Sequence, residues 1–276
     1  MTGPPSDSQT DSIVASGGRE SSRPSDRLGP TAIRQKVELR FEKGEAVRFI
    51  SHHDLMRAFQ RAVRRAQLPV RLTEGFNPRP RIVFPVALEV GIASLDEAAE
   101  LELHQWIPTQ DLKERLAAAL PPGLALHTVR EMDPVRRGQR PVRVVYRMEL
   151  GEAELTVPPE RLEWLARAAT LPYLRVRLER GRRKGRPQPP KTVDLRTVIG
   201  AVAAAEGGAV DVEILPTPVL TARPLEVLSL LLERPKDQLA GIRITKLSMT
   251  LEPTGNPSPE TETESETETE TPTEPE

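Results

Sequence analysis

The chain has 276 residues, 39 Lys+Arg against 40 Asp+Glu, 28 Pro, 3% aromatic residues and no Cys. Without Cys it has no disulfide, thiolate metal site, iron–sulfur cluster or Cys nucleophile of its own. No apolar run approaches the ~20 residues of a membrane span and the N-terminus lacks a secretory pattern, so the composition points to a cytoplasmic chain, off the membrane, of one large or two small domains.

Residues 1–33 are rich in Ser, Gly, Pro and Asp and too poor in apolar residues to offset the entropy of ordering, which predicts a disordered N-terminal segment. The next unit is expected over residues 34–133. Val37 to Phe41 alternates as a half-buried strand, and Val47-Arg48-Phe49 continues it after a turn at Lys43-Gly44. Ser51 then caps a helix with Asp54 in its first turn, and Leu55, Met56, Phe59, Ala62, Val63 and Ala66 form one apolar stripe as far as about Gln67. Pro69 ends it. Short strands are expected at Val70–Leu72, Ile82–Phe84 and Glu100–Leu103, with a loop at Gly91. A helix over Gln110–Leu120, a turn at Pro121-Pro122-Gly123 and a strand over Leu124–Val129 complete a β-α-β-β-α-β order, the ferredoxin-like arrangement.

Residues 134–252 read as a looser copy. Val142 to Leu150 alternates as a strand, and Pro158-Pro159 starts a helix with Leu162 and Leu165. Leu174 to Leu178 reads as the second strand, and a basic insert follows. A strand at Val210–Ile214, a helix from Pro224 and a strand over Ile242–Met249 close the unit. The fold expected is α+β: two tandem ferredoxin-like units with disordered tails. Residues 253–276 carry eight Glu and no basic residue, whereas 34–252 carry 36 basic against 28 acidic side chains. The near-neutral whole is a basic body with an acidic tail, which reads as a solubilising segment or as a polyanion mimic competing for that body.

Four features bear on chemistry. Arg57, Arg61, Arg64 and Arg65 lie opposite the apolar stripe of the first helix, as a solvated face or as a row of phosphate donors. The loop Gly75-Phe76-Asn77-Pro78-Arg79-Pro80-Arg81 is stiffened by two prolines; Phe76 either plugs the core or offers a stacking ring, and Asn77, Arg79 and Arg81 are polar contacts. Arg182, Arg183 and Lys184 sit in a basic hairpin suited to sequence-blind phosphate contact. His52 and His53 are a helix cap and a surface residue, or supply a general base. No metal-ligand spacing surrounds His104 or His127, no phosphate-cradling glycine loop is present, and no cofactor is expected.

The run Val47-Arg48-Phe49-Ile50-Ser51-His52-His53-Asp54-Leu55-Met56-Arg57, with Arg64-Arg65-Ala66, Leu68-Pro69, Gly75 to Pro80 and the acidic strand Glu100–Leu103, resembles the radical SAM-linked protein family of unknown function. Lys191 to Arg196 is similar to a later family segment. The resemblance spans roughly residues 36–251, and His53 departs from it where an apolar residue is usual. Members are encoded beside, or fused to, a radical S-adenosylmethionine protein, so the resemblance implies a stand-alone accessory part whose partner is a radical SAM enzyme encoded nearby.

Together these readings suggest an accessory binding protein without catalysis of its own. It would hold an RNA, such as a tRNA-like molecule or a ribonucleoprotein, for that enzyme. The alternatives are a metal-independent endoribonuclease using His52, for which CRISPR repeat-processing enzymes offer a fold-level analogy, and a purely structural adaptor of the radical SAM protein.

Overall fold

A computed structural model describes residues 33–74, 76–87, 89–135, 138–151, 155–175, 190–239 and 241–254. All but the last residue of the expected N-terminal segment, nearly all of the acidic tail, Gly75 and the basic hairpin with Arg182, Arg183 and Lys184 lie outside the described residues.

The first half runs β1 (Gln35–Lys43), α1 (His52–Arg65), β2 (Ile82–Val83), β3 (Ile92–Leu103), α2 (Thr109–Ala119) and β4 (Leu124–Met132). The second runs β5 (Gln139–Glu149), α3 (Pro159–Arg167), β6 (Pro172–Arg175), β7 (Lys191–Asp194), β8 (Ile199–Ala204), β9 (Ala209–Ile214), α4 (Pro224–Leu232) and β10 (Arg243–Pro253). Eight strands form one mixed sheet in the order β4-β1-β3-β10-β5-β9-β8, with β2 also paired to β3. Among the described residues this is an α+β fold with four α-helices.

β3 organises the first half. One edge pairs antiparallel with β1 along its length, while the other takes β2 at Glu100 and Leu101 and β10, in parallel, at Ile92–Ser94. The parallel β3–β10 contact fuses the halves into one sheet. Gly91, at φ +92, turns the chain into β3, and its amide donates to the Arg48 carbonyl (2.9 Å). A side chain is strained in that left-handed region.

Leu39 and Phe41 of β1, Leu101 and Leu103 of β3, Leu55, Phe59 and Val63 of α1, and Leu112 and Leu116 of α2 form the first core. Phe59 packs on Phe41 (ring centroids 4.7 Å apart) and edge-on against Phe84 (5.6 Å). Such aromatic contacts add roughly 0.5–1.5 kcal/mol beyond burial and fasten α1 to the sheet. Met148, Val212 and Ile214, Leu165 of α3, and Val227, Leu228 and Leu231 of α4 form the second core.

Several expectations needed correction. Val47-Arg48-Phe49 does not extend β1: Glu45–Val47 is a 3-10 turn in which the Arg48 amide bonds back to the Glu45 carbonyl (3.1 Å), and Phe49 is exposed. Val70 and Leu72 make only isolated bridges, to Leu103 and Pro80. β3 begins near Ile92, well before the expected Glu100, because β1 and β10 pair its first half. Leu174 and Arg175 pair with β7 in a separate two-stranded sheet; the strand beside β9 is β8, which the sequence reading missed. No helix among the described residues is long and apolar enough to cross a membrane.

Candidate nucleic-acid interface

The Ser51 side chain accepts the Asp54 amide (3.2 Å) and donates its hydroxyl proton to Asp54 Oδ2 (2.7 Å). That hydroxyl, helped by Arg57, holds the Asp54 carboxyl below its ordinary pKa. Once the cap sets where α1 starts and Leu55, Phe59, Ala62 and Val63 turn inward, the 3.6-residue period sends Arg57, Arg61 and Arg64 to solvent. Arg57 makes an exposed pair with Asp54 (3.4 Å), of the kind that contributes little. Among the described residues, the Arg61 and Arg64 side chains have no ion-pair or hydrogen-bond partner.

Arg65 departs from this group. Its guanidinium donates to the Ala119 carbonyl at the C-terminal end of α2. Arg115 of α2 answers by donating to the Ala66 carbonyl (2.7 and 3.1 Å) and the Gln67 carbonyl (2.7 Å) at the end of α1. Each helix thus has orphan C-terminal carbonyls satisfied by a cation from the other, where the macrodipole also favours positive charge. Arg65 is a helix-packing residue.

The loop after α1 is closed at its base. The Thr73 amide donates to the Arg79 carbonyl (2.8 Å), the Arg79 amide to Thr73 Oγ1 (3.1 Å), and the Arg81 amide to the Arg71 carbonyl (2.8 Å). The Arg71 amide in turn bonds to the Glu102 carbonyl (2.7 Å), which anchors the loop to β3. Phe76 and Asn77, between the closing residues, are exposed; at 105% relative exposure Phe76 does not plug the core. Arg79 has no ionic partner for its guanidinium among the described residues. Arg81 is partly spent: it lies 3.1 Å from Glu102, whose carboxylate also takes Arg71 at 3.2 Å.

Between α1 and this loop opens a cleft of ≈ 250 Å³, lined by His53, Arg57 and Gln60 on the helix side and Thr73, Arg79 and Arg81 on the loop side. Arg64 lies four residues beyond Gln60, so it continues the lining face along the helix. The expected cations therefore divide: Arg57, Arg79 and Arg81 converge on the cleft, Arg61 and Arg64 extend from it, and Arg65 faces α2.

His52 is not among the residues that line this cleft. Its ring meets Phe84 edge-on (5.4 Å between centroids), and its buried Nδ1 has no partner. His53, the residue that departs from the family motif, lines the cleft instead. Gln60 and Thr73 were also missed; only the three- and four-residue spacing from Arg57 and Arg64 could have placed Gln60 there. Among the described residues no cluster of three or more His, Asp or Glu could hold a metal.

No curated protein matches the chain. A family model matches residues 36–226, which is more than half of the chain and includes α1, the loop, the cleft and most of the second core. The chain therefore belongs to the family described as "Uncharacterized protein conserved in bacteria" (DUF2344).

Proposed function

We propose that the chain is an RNA-binding accessory protein whose α1 face and cleft hold the ribose-phosphate backbone for a partner enzyme. The observation that carries this reading is the group of guanidinium groups at Arg57, Arg61, Arg64 and Arg79, opposed among the described residues only by the exposed Asp54 carboxylate. Forked guanidinium donors on a rigid helix suit phosphate oxygens and carry no sequence reading of their own. The radical SAM enzyme implied by the Ser51–Arg57 and Phe76–Pro80 motifs is the partner proposed. With no Cys in this chain, the thiolates for an iron–sulfur cluster would come from that enzyme.

The architecture fits two tandem ferredoxin-like units. β4-β1-β3 with β2 beyond, and β10-β5-β9-β8, repeat the same antiparallel order of fourth, first, third and second strands, with β6 and β7 inserted in the second unit. Such units are reused for many purposes, so the function rests on the site and not on the fold.

The test is RNA binding by fluorescence anisotropy between 50 and 200 mM salt, alone and with the radical SAM protein. Replacing Arg57, Arg61 and Arg64 together with Ala should weaken binding and reduce the log–log salt slope by about 2, at roughly 0.7 per phosphate contact on a single strand. Binding that ignores both salt and these replacements would overturn the reading.

A further inference from the structure

We propose that the cleft and the loop tip together hold one unpaired nucleotide, with its phosphate between Arg57 and Arg79 and its base stacked on Phe76. This deepens the RNA reading and rests on it. The chain has five Phe. Phe41, Phe59 and Phe84 pack in or against the first core, and the exposed Phe49 ring is covered on one side by Arg48 at 4.6 Å. Phe76 alone among them offers its whole ring to solvent.

The ring does not stand on a loose segment. Backbone bonds between Thr73 and Arg79 and between Arg71 and Arg81 close the loop beneath it. Two residues separate Phe76 from Arg79, so their Cα atoms, three steps apart, lie within about 11 Å of each other. Arg57 and Arg79 reach the cleft from opposite walls, which allows them to grip one phosphate from two sides.

A duplex keeps its bases stacked on each other and presents only backbone and groove edges. An exposed ring beside a phosphate clamp therefore selects a strand, loop or end whose bases are free to stack. His53, Gln60 and Thr73 add hydrogen-bonding groups in the same cleft for the ribose hydroxyl or the phosphate.

The experiment compares a 12-nucleotide single-stranded RNA with a 12-base-pair RNA duplex, each titrated with the full chain and with Phe76→Ala, Phe76→Tyr and Arg57→Ala/Arg79→Ala variants. A 2-aminopurine in the strand reports stacking. The strand should bind more tightly than the duplex, and Phe76→Ala should weaken strand binding by about 5–150-fold, the range for losing one base–aromatic stack. Its salt slope should stay unchanged, because no counterion is released at an apolar ring. Phe76→Tyr should retain both affinity and quenching, and the arginine pair should lower the slope. Equal binding of duplex and strand, or a Phe76→Ala protein that binds like the parent, overturns this inference while leaving the RNA reading intact. Failure of both RNAs to bind at 50 mM salt overturns both readings.

Discussion

Where β3 and β10 join the halves, Lys246 Nζ lies 2.6 Å from Glu97 Oε1, with the two side chains 0% and 2% exposed. It is an ionic contact and not an aligned hydrogen bond, since Glu97 Oε1 has no hydrogen-bond partner. Lys43 is buried nearby, donating to the carbonyls of Arg48 (2.8 Å) and Ile92 (3.1 Å). Burial pulls the Lys43 ammonium below its ordinary pKa, Glu97 partly restores it and Lys246 opposes it. Tyr146, opposite Lys246 across β5 and β10, is pushed up by burial and then by Glu97. One carboxylate thus serves two buried ammonium groups, and the two single removals should be unequal. Breaking a buried pair costs about 3–5 kcal/mol. Lys246→Met leaves Glu97 with Lys43 and belongs near 3 kcal/mol, while Glu97→Gln leaves two buried cations facing each other and belongs near 5 kcal/mol. Urea denaturation followed by circular dichroism measures both, and the double variant closes the cycle. In Glu97→Gln the Lys43 ammonium loses the carboxylate that partly restores it and its pKa falls further below the unfolded value of about 10.4, so the unfolded chain binds more protons between the two values and stability rises with pH through that window. Single losses below about 1 kcal/mol, or a double variant additive within about 0.5 kcal/mol, would refute a coupled buried seam.

Arg65→Ala should cost about 1 kcal/mol in a thermal melt, because the Ala119 carbonyl loses its donor, yet leave the RNA salt slope where it was. Burial alone would raise the Glu226 carboxyl, but the Arg175 contact (2.6 Å), the Arg223 amide and Lys236 together hold it below its ordinary range. Its contribution is therefore present above the unfolded value of about 4.3 and is lost as pH falls through the lower folded value, so Glu226→Gln should cost about 2 kcal/mol at pH 7 in urea denaturation and progressively less in acid. Truncation after Thr254 removes eight Glu. The end of β10 pairs Pro253 with Gln139, whose amide bonds to Glu100, two residues along β3 from the Glu102 that holds Arg81. Truncation should strengthen RNA binding at 50 mM salt by at most about 1 kcal/mol, with the difference gone at 1 M in the same anisotropy assay.

Helices were legible because their signals are local. Ser51, Pro159 and Pro224 mark starts that the chain uses, and Leu112 and Leu116 sit one turn apart on the buried face of α2. Strands were less so. β8, Ile-Gly-Ala-Val-Ala-Ala, has too few bulky side chains to show alternation, and its register with β9 shifts between Ile199 and Val202. Leu174 and Arg175 alternate well, yet Leu174 is exposed and Arg175 reaches Glu226, so the segment pairs with β7 away from the main sheet. The first half of β3 contains Ser94, Asp96 and Glu97, which read as loop residues. Their burial depends on Arg40, Lys43 and Lys246, contributed by β1 and β10 and invisible to any local window.

The same distinction governs the site. Helical spacing put Arg57, Arg61, Arg64 and Arg65 on one face of α1 and the loop motif added Arg79 and Arg81, but neither signal can say which of the six is already engaged. Arg65 is taken by a carbonyl 54 residues away and Arg81 is shared with a carboxylate on β3, which leaves four guanidinium groups for phosphate. Six contacts on a single strand would give a log–log salt slope near −4, whereas four give about −3. A measured slope near −3 that is unmoved by Arg65→Ala matches the observed partners; a slope near −4 that Arg65→Ala reduces would mean that Arg65 leaves α2 to meet the strand, and that the reciprocal capping of α1 and α2 yields to phosphate.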